Sequence, residues 1–223
     1  MREIDTGAQE AFINEVNEDL KNESMKKLWD KYGLYIIILV AAALTAAVSF
    51  ETIKAWHTQK IQKWSDSYAY ALSLQNQGKY EDSIQTFDYI AGQDYGIFSD
   101  LAQMQKANIL LEQNKTDEAL QLMAEIAADN SFNSQLRDTV ALKLASYKLE
   151  NAPVDEIRQL IGSIAQDAEN SWQPVANEML ALAYLRDGEI AQAREIYDRL
   201  LQSDKTSEVM KVRIKDILSA LPQ

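Results

Sequence analysis

The chain has 223 residues, a formal net charge of −12 and no cysteine. The missing thiols exclude disulfides, thiolate catalysis, cysteine zinc sites and a cysteine-borne lipid anchor, and the acidic balance argues against nucleic acid, whose phosphates such a surface repels. Seven glycines and three prolines predict few turns and much helix, in a length that suffices for one membrane span and one domain with its own core.

Residues 1–31 form an acidic leader. Within it Phe12, Val16 and Leu20 repeat at four-residue spacing, with Ile13 beside them and Glu15, Glu18 and Asp19 around them, which predicts an amphipathic helix. Two readings stand: a segment that docks on a partner or on the membrane face, and a marginal frayed helix. Gly33 is expected to loosen the joint that follows.

Residues 34–50 read LYIIILVAAALTAAVSF, without a formal charge, and the uncharged stretch extends back to Tyr32. A helix over 32–50 spans roughly 28 Å, close to the ~30 Å hydrocarbon core of a bilayer. Trp29, Tyr32 and Tyr35 at one edge and Phe50 and Trp56 at the other resemble an interfacial aromatic belt. Thr45 and Ser49 can bond back to helix carbonyls. Two alternatives are weaker. A buried core helix rarely runs so long without a charged face. A cleaved signal peptide has a short basic leader, whereas this leader is long and acidic. Lys21, Lys26, Lys27 and Lys31 precede the span and Lys54, Lys60 and Lys63 follow it, so the positive-inside rule places the N-terminus in the cytoplasm by a margin of one lysine. Residues 51–64 continue as a juxtamembrane helix with Ile53, Trp56, Ile61 and Trp64 near one face; its lysines suit anionic headgroups or plain solvent equally.

From residue 65 four helix–turn–helix units superimpose, with turns at Gly78, Asn114, Ala152 and Gly188, 36, 38 and 36 residues apart. Seven residues before each turn stands an alanine: Ala71, Ala107, Ala145 and Ala181. Five after it stand Ser83, Ala119, Ile157 and Ala193. Nine after it stand Phe87, Met123, Ile161 and Tyr197, and twelve after it Ile90, Ile126, Ile164 and Leu200. A small residue in the first helix admits the second closely, and large residues fill the groove between neighbouring pairs. No pair buries its apolar face alone, so the units are expected to stack over 65–206, with a capping helix over 207–223.

This pattern resembles the tetratricopeptide repeat. Residues 181–197 match best, 78–87 closely, 114–123 without the turn glycine, and the third unit is degenerate, with Lys148 at an apolar position and Pro153 after the turn. The units are longer than the family's, lack its closing proline, and carry a bulky Ile or Leu late in the second helix. The whole order resembles the bacterial ancillary subunit of the SecYEG translocon, in a form typical of alphaproteobacteria: leader with FINEVNEDL at 12–20, KKLWDKYG at 26–33, one span, degenerate repeats and the helix 207–218. The fold implied is all-α, a single N-terminal transmembrane helix followed by a tetratricopeptide-like superhelix. The resemblance implies anchoring in the bacterial inner membrane with the repeats in the periplasm, and translocon subunits and periplasmic chaperones as partners.

No catalytic, cofactor or metal site is readable. His57, the lone histidine, reads as a solvated interfacial residue, and no phosphate-cradling glycine loop occurs. The carboxylate pairs Glu81–Asp82, Asp117–Glu118 and Asp155–Glu156 recur beside the turns, which suits capping and helix-dipole roles. The sequence therefore predicts a non-enzymatic protein-binding scaffold without a small-molecule substrate. In tetratricopeptide folds the first helices line the concave face, here Tyr68, Leu72 and Gln75, then Met104, Asn108 and Leu111, then Leu142, Ser146 and Leu149, and last Glu178, Leu182 and Leu185. This largely apolar set suits unfolded client segments; inter-repeat core is the equal alternative for any one residue. A structural assembly factor in envelope biogenesis or cell division, without client binding, is the rival function.

Overall fold

In the computed structural model the backbone is described for residues 5–93 and 95–222, and the side chains for these except residues 5–24, 40, 46, 47, 50 and 57. The readings that rest on the side chains of Phe12, Val16, Leu20, Phe50 and His57 lie outside that set. Among the described residues the structure is all helix: α1 (Asp5–Asn76), α2 (Tyr80–Ala91), α3 (Ile97–Glu112), α4 (Thr116–Ala128), α5 (Ser134–Lys148), α6 (Val154–Gln166), α7 (Gln173–Arg186), α8 (Ile190–Gln202) and α9 (Glu208–Ala220). Two compact units divide the chain, Met1–Gln62 and Lys63–Gln223.

In the first unit, Met25–Thr45 is long and apolar enough to cross a bilayer, and Leu34, Tyr35, Ile36, Ile37, Ile38, Leu39 and Leu44 are all exposed. This stretch begins earlier than the predicted 32–50. The Thr45 hydroxyl donates to the Ala41 carbonyl and the Ser49 hydroxyl to that of Thr45, each at 2.8 Å, so both polar groups are satisfied within the helix. Gly33 does not interrupt α1. The Trp29 indole lies over it, and a Cβ there would meet the ring at 3.3 Å. Close ring packing, rather than a loose joint, is what this glycine permits.

In the second unit the predicted register governs the core. All sixteen residues at the four repeated positions are no more than 3% exposed. Residues 63–76 of α1 pair with α2, and the hydroxyl of buried Ser83 donates to the Ala71 carbonyl at 2.8 Å. Then α3 packs on α4, α5 on α6 and α7 on α8, each pair joined to the next, with α3 also touching α5 and α5 touching α7. Three apolar clusters result: one around Trp64, Phe87, Ile90 and Ile109, one around Met123, Ile126, Phe132 and Leu144, and a larger one from Ala141 to Ile214. The last includes Met210 and Ile214, so α9 closes onto α7 and α8. Ser207 starts α9 by accepting from the Met210 amide.

Three turns share one construction. Gly78, Asn114 and Gly188 all have positive φ, at 73°, 60° and 83°. Each donates its amide three residues back, to Gln75, Leu111 and Leu185, while the next residue donates five back, to Leu74, Leu110 and Tyr184. This is the Schellman arrangement, in which asparagine tolerates the left-handed backbone that glycine usually supplies. The third turn differs: Asn151 and Ala152 both donate to the Lys148 carbonyl, and Pro153 enters α6 at φ −54°. Lys148, at its expected apolar position, is half-buried with its ammonium on Glu156. The carboxylate pairs fall in the first turns of α2, α4 and α6, but the N-cap residues there are Lys79, Lys115 and Pro153, without side-chain caps. The dipole role fits this placement and the capping role does not.

Carboxylates also tie neighbouring units. Asp100 accepts from the Asn133 amide at 2.8 Å, Asp138 from the Asn170 side chain at 2.6 Å, and Asp187 from the Val154 amide at 3.0 Å. The four alanines are at most 1% exposed. Ala107→Leu or Ala181→Leu should therefore destabilise a 63–223 fragment by about 1–3 kcal/mol, as overpacking does. An unchanged urea midpoint for both would show that the helices do not approach each other at these alanines.

A candidate partner-binding face on the first helices

Three positions of each first helix, ten, six and three residues before the turn, define the face singled out in the sequence. Their surroundings differ from unit to unit. Tyr68 packs edge-on against Phe87 with ring centroids 5.2 Å apart, and burial raises its phenol above the ordinary value. Leu72 leans on the same cluster, while Met104 and Leu111 lean on the second. Leu142 is buried in the third cluster, with Leu149 and Leu185 partly buried against it. Ser146 is exposed and Leu182 half-buried. Gln75 and Glu178 are buried, at 9% and 7% exposure.

Two polar members of this set, Gln75 and Asn108, are linked through Gln105. Gln75 donates to Glu112 at 2.8 Å and accepts from Gln105 at 2.7 Å. Gln105 accepts from Asn108 at 3.0 Å, and Asn108 accepts from the Lys143 ammonium. One hydrogen-bonded chain thus crosses α1, α3 and α5. Desolvation lowers the Lys143 pKa below the ordinary lysine value. Gln105 and Lys143 both stand nine residues before their turns, a register signal that the reading by apolar positions passes over.

At the other end, Glu178 of α7 is clamped by Arg213 of α9, whose Nε and one terminal nitrogen donate to the two carboxylate oxygens at 2.7 Å each. The fork matches the carboxylate plane, which is why arginine suits this place. The Tyr197 hydroxyl is buried without a hydrogen-bond partner. Its pKa is pushed up to about 12, chiefly by burial, then by the Glu178 charge, with Arg213 opposing. Among the described residues no group of histidines and carboxylates is arranged to hold a metal ion. The face combines half-exposed apolar side chains with side-chain amides that are bonded within the fold.

A family model described as a tetratricopeptide repeat-like domain matches residues 26–219. The ancillary SecYEG translocon subunit of Escherichia coli (strain K12) is 21% identical over 204 residues, covering 90% of this chain and 97% of that protein. No solved structure matches.

Two outcomes follow from the ties described above. Removing Arg213 leaves a buried carboxylate without its fork, so Arg213→Ala should lower stability by about 1–3 kcal/mol. The half-exposed arginine favours the low end of that range, and Glu178→Leu combined with Arg213→Met should recover most of the loss. Asp187 is held below the ordinary carboxylate value by the Val154 amide and then by Arg186. A depressed folded pKa contributes stability above the unfolded value of about 3.9, and that stability is lost as pH falls through the folded value. The deficit of Asp187→Asn in urea should thus be full at neutral pH and vanish well below about pH 4; a deficit independent of pH would contradict the charge-assisted bond.

Proposed function

Since the chain belongs to the tetratricopeptide repeat-like domain family, we propose that it is a non-enzymatic protein-binding scaffold, tethered to a membrane by the apolar stretch of α1 and ancillary to a protein translocon. One observation supports the binding role most directly. The repeats bury all sixteen register positions to 3% exposure or less, yet Leu72, Met104, Leu111, Leu149, Leu182 and Leu185 stay half-exposed on successive first helices. Apolar side chains kept at intermediate exposure along one series of helices suit unfolded or extended partner segments. The E. coli relative's name supports the translocon as the place of work. In this reading the anchor lies in a bacterial inner membrane with the N-terminus cytoplasmic and the repeats periplasmic, where translocon subunits, chaperones and emerging clients are the partners. Tethering raises the effective concentration at an exit site, so weak intrinsic affinity suffices. The 25 acidic residues against 14 basic ones from residue 65 onward favour basic segments.

A static assembly factor is the second reading. It is favoured by Gln75, Leu142 and Glu178, whose side chains are consumed inside the fold.

Two measurements test the proposal. A reporter active only outside the cytoplasm, fused after Gln223, should be active; a stable but inactive fusion would rule out the periplasmic repeats. Because Tyr68, Leu72, Met104 and Leu111 lean on the core, binding is better probed at Ser146 and Leu182. Ser146→Arg with Leu182→Arg should weaken binding of a labelled, basic, apolar unfolded peptide at least about tenfold, roughly 1.4 kcal/mol, with the helical circular dichroism retained. Equal binding by the folded double variant would favour the static scaffold.

A further inference from the structure

A cavity of about 360 Å³ opens between α6 and α8 over α7, lined by Arg158, Gly162, Asn177, Leu180, Ile196 and Arg199 among others. These are mainly second-helix residues of the third and fourth units, together with residues of α7 away from the face described above. Its floor is apolar, from Leu180 and Ile196, both buried. Asn177 is fixed in the wall by its amide nitrogen, which donates to the Ala165 and Gln173 carbonyls at 2.8 and 2.9 Å.

Gly162 indicates what the space is for. It lies inside α6, where glycine is destabilising relative to alanine. It is buried, whereas the equivalent residues of the other units, Asp88, Ala124 and Asp198, are exposed. Yet no packing contact demands it: a Cβ there would meet only the Arg158 side chain, at an ordinary 3.5 Å. What the missing side chain leaves open is the cavity.

Two guanidinium groups stand at the rim of this otherwise acidic protein. Arg158 pairs with Asp155 and Arg199 with Glu195, each on its own helix, and both carboxylates are largely exposed, at 75% and 71%. Exposed pairs of this kind exchange readily for another carboxylate, and a planar guanidinium receives one through two parallel bonds. The volume is at the small end of ligand sites, which suits one large side chain rather than a cofactor. We propose that this cavity is a second binding site, which takes an acidic peptide segment by seating one apolar side chain on Leu180 and Ile196 while flanking carboxylates pair with Arg158 and Arg199.

The test uses the detergent-solubilised full chain and the peptide fluorescein-Asp-Glu-Phe-Asp-Glu-amide, labelled at its N-terminus, read by anisotropy. Saturable binding is expected, weakened at least about tenfold when the acids become amides or the Phe becomes Ala. Gly162→Leu, which fills the cavity with a good helix former, should weaken binding as strongly with a melting temperature no lower than that of the wild type. Arg158→Glu with Arg199→Glu, at exposed positions, should do the same and serves if the leucine variant misfolds. Ser146→Arg with Leu182→Arg should bind the acidic peptide as the wild type does, which separates this site from the first-helix face. No saturation by about 1 mM, equal binding of the amide peptide, full binding by the folded Gly162→Leu variant, or loss in the first-helix variant would each overturn the proposal.

Discussion

One buried alanine in the first helix of each repeat presents only a methyl group to its surroundings, and the rest of the repeat unit follows from that small side chain. Ala71, Ala107, Ala145 and Ala181 are at most 1% exposed, and in the first pair the Ser83 hydroxyl donates to the Ala71 carbonyl across the helices. A methyl group there lets the backbones approach closely; the larger residues four and seven positions further along the second helix then reach the next pair. Because each pair leaves apolar surface at its outer side, stacking is the way to bury it. The cap α9 ends the series by placing Met210 and Ile214 where another first helix would supply its core residues.

Polar groups define how the pairs stack. The buried apolar residues form three clusters, two of which share Leu160 as a partly buried neighbour, and hydrogen bonds add further bridges. Gln75 to Gln105 and Asn108 to Lys143 join successive first helices, while Asp100 and Asp187 reach backbone amides of a neighbouring unit. Each acceptor is matched to a donor on a neighbouring unit. The same bonds consume residues that a reading of the face would assign to partners, which leaves the half-exposed leucines as its open surface.

The repeat was legible because it depends on periodicity. Turn spacing and the alanine seven residues earlier located all four units, and the bulky Ile and Leu late in the second helices proved to be core. Asn114 makes the same left-handed turn as Gly78 and Gly188, so a lost glycine was not a lost turn. Lys148 was less readable, since its ion pair with Glu156 depends on two side chains meeting across a turn. Gly96 at the start of α3, with φ 54°, gave no periodic signal. The face was only partly legible: register selects which residues point between first helices, but burial there depends on neighbour size, and Leu142 is covered where Ser146 is not. The cavity beside Gly162 was not legible, because an absent side chain has no pattern of its own.

The chain of hydrogen bonds through Gln75, Gln105, Asn108 and Lys143 has a consequence for alignment. Apolar burial alone tolerates changes of alignment, because it is non-directional and follows the area removed from water. Hydrogen bonds do not, since they weaken steeply with distance and angle. A displacement of α3 along its neighbours by a single residue, about 1.5 Å, would stretch two links of this chain at once. The amides therefore work as a vernier: the leucines supply adhesion, and the polar chain sets the mark at which adjacent helices come to rest.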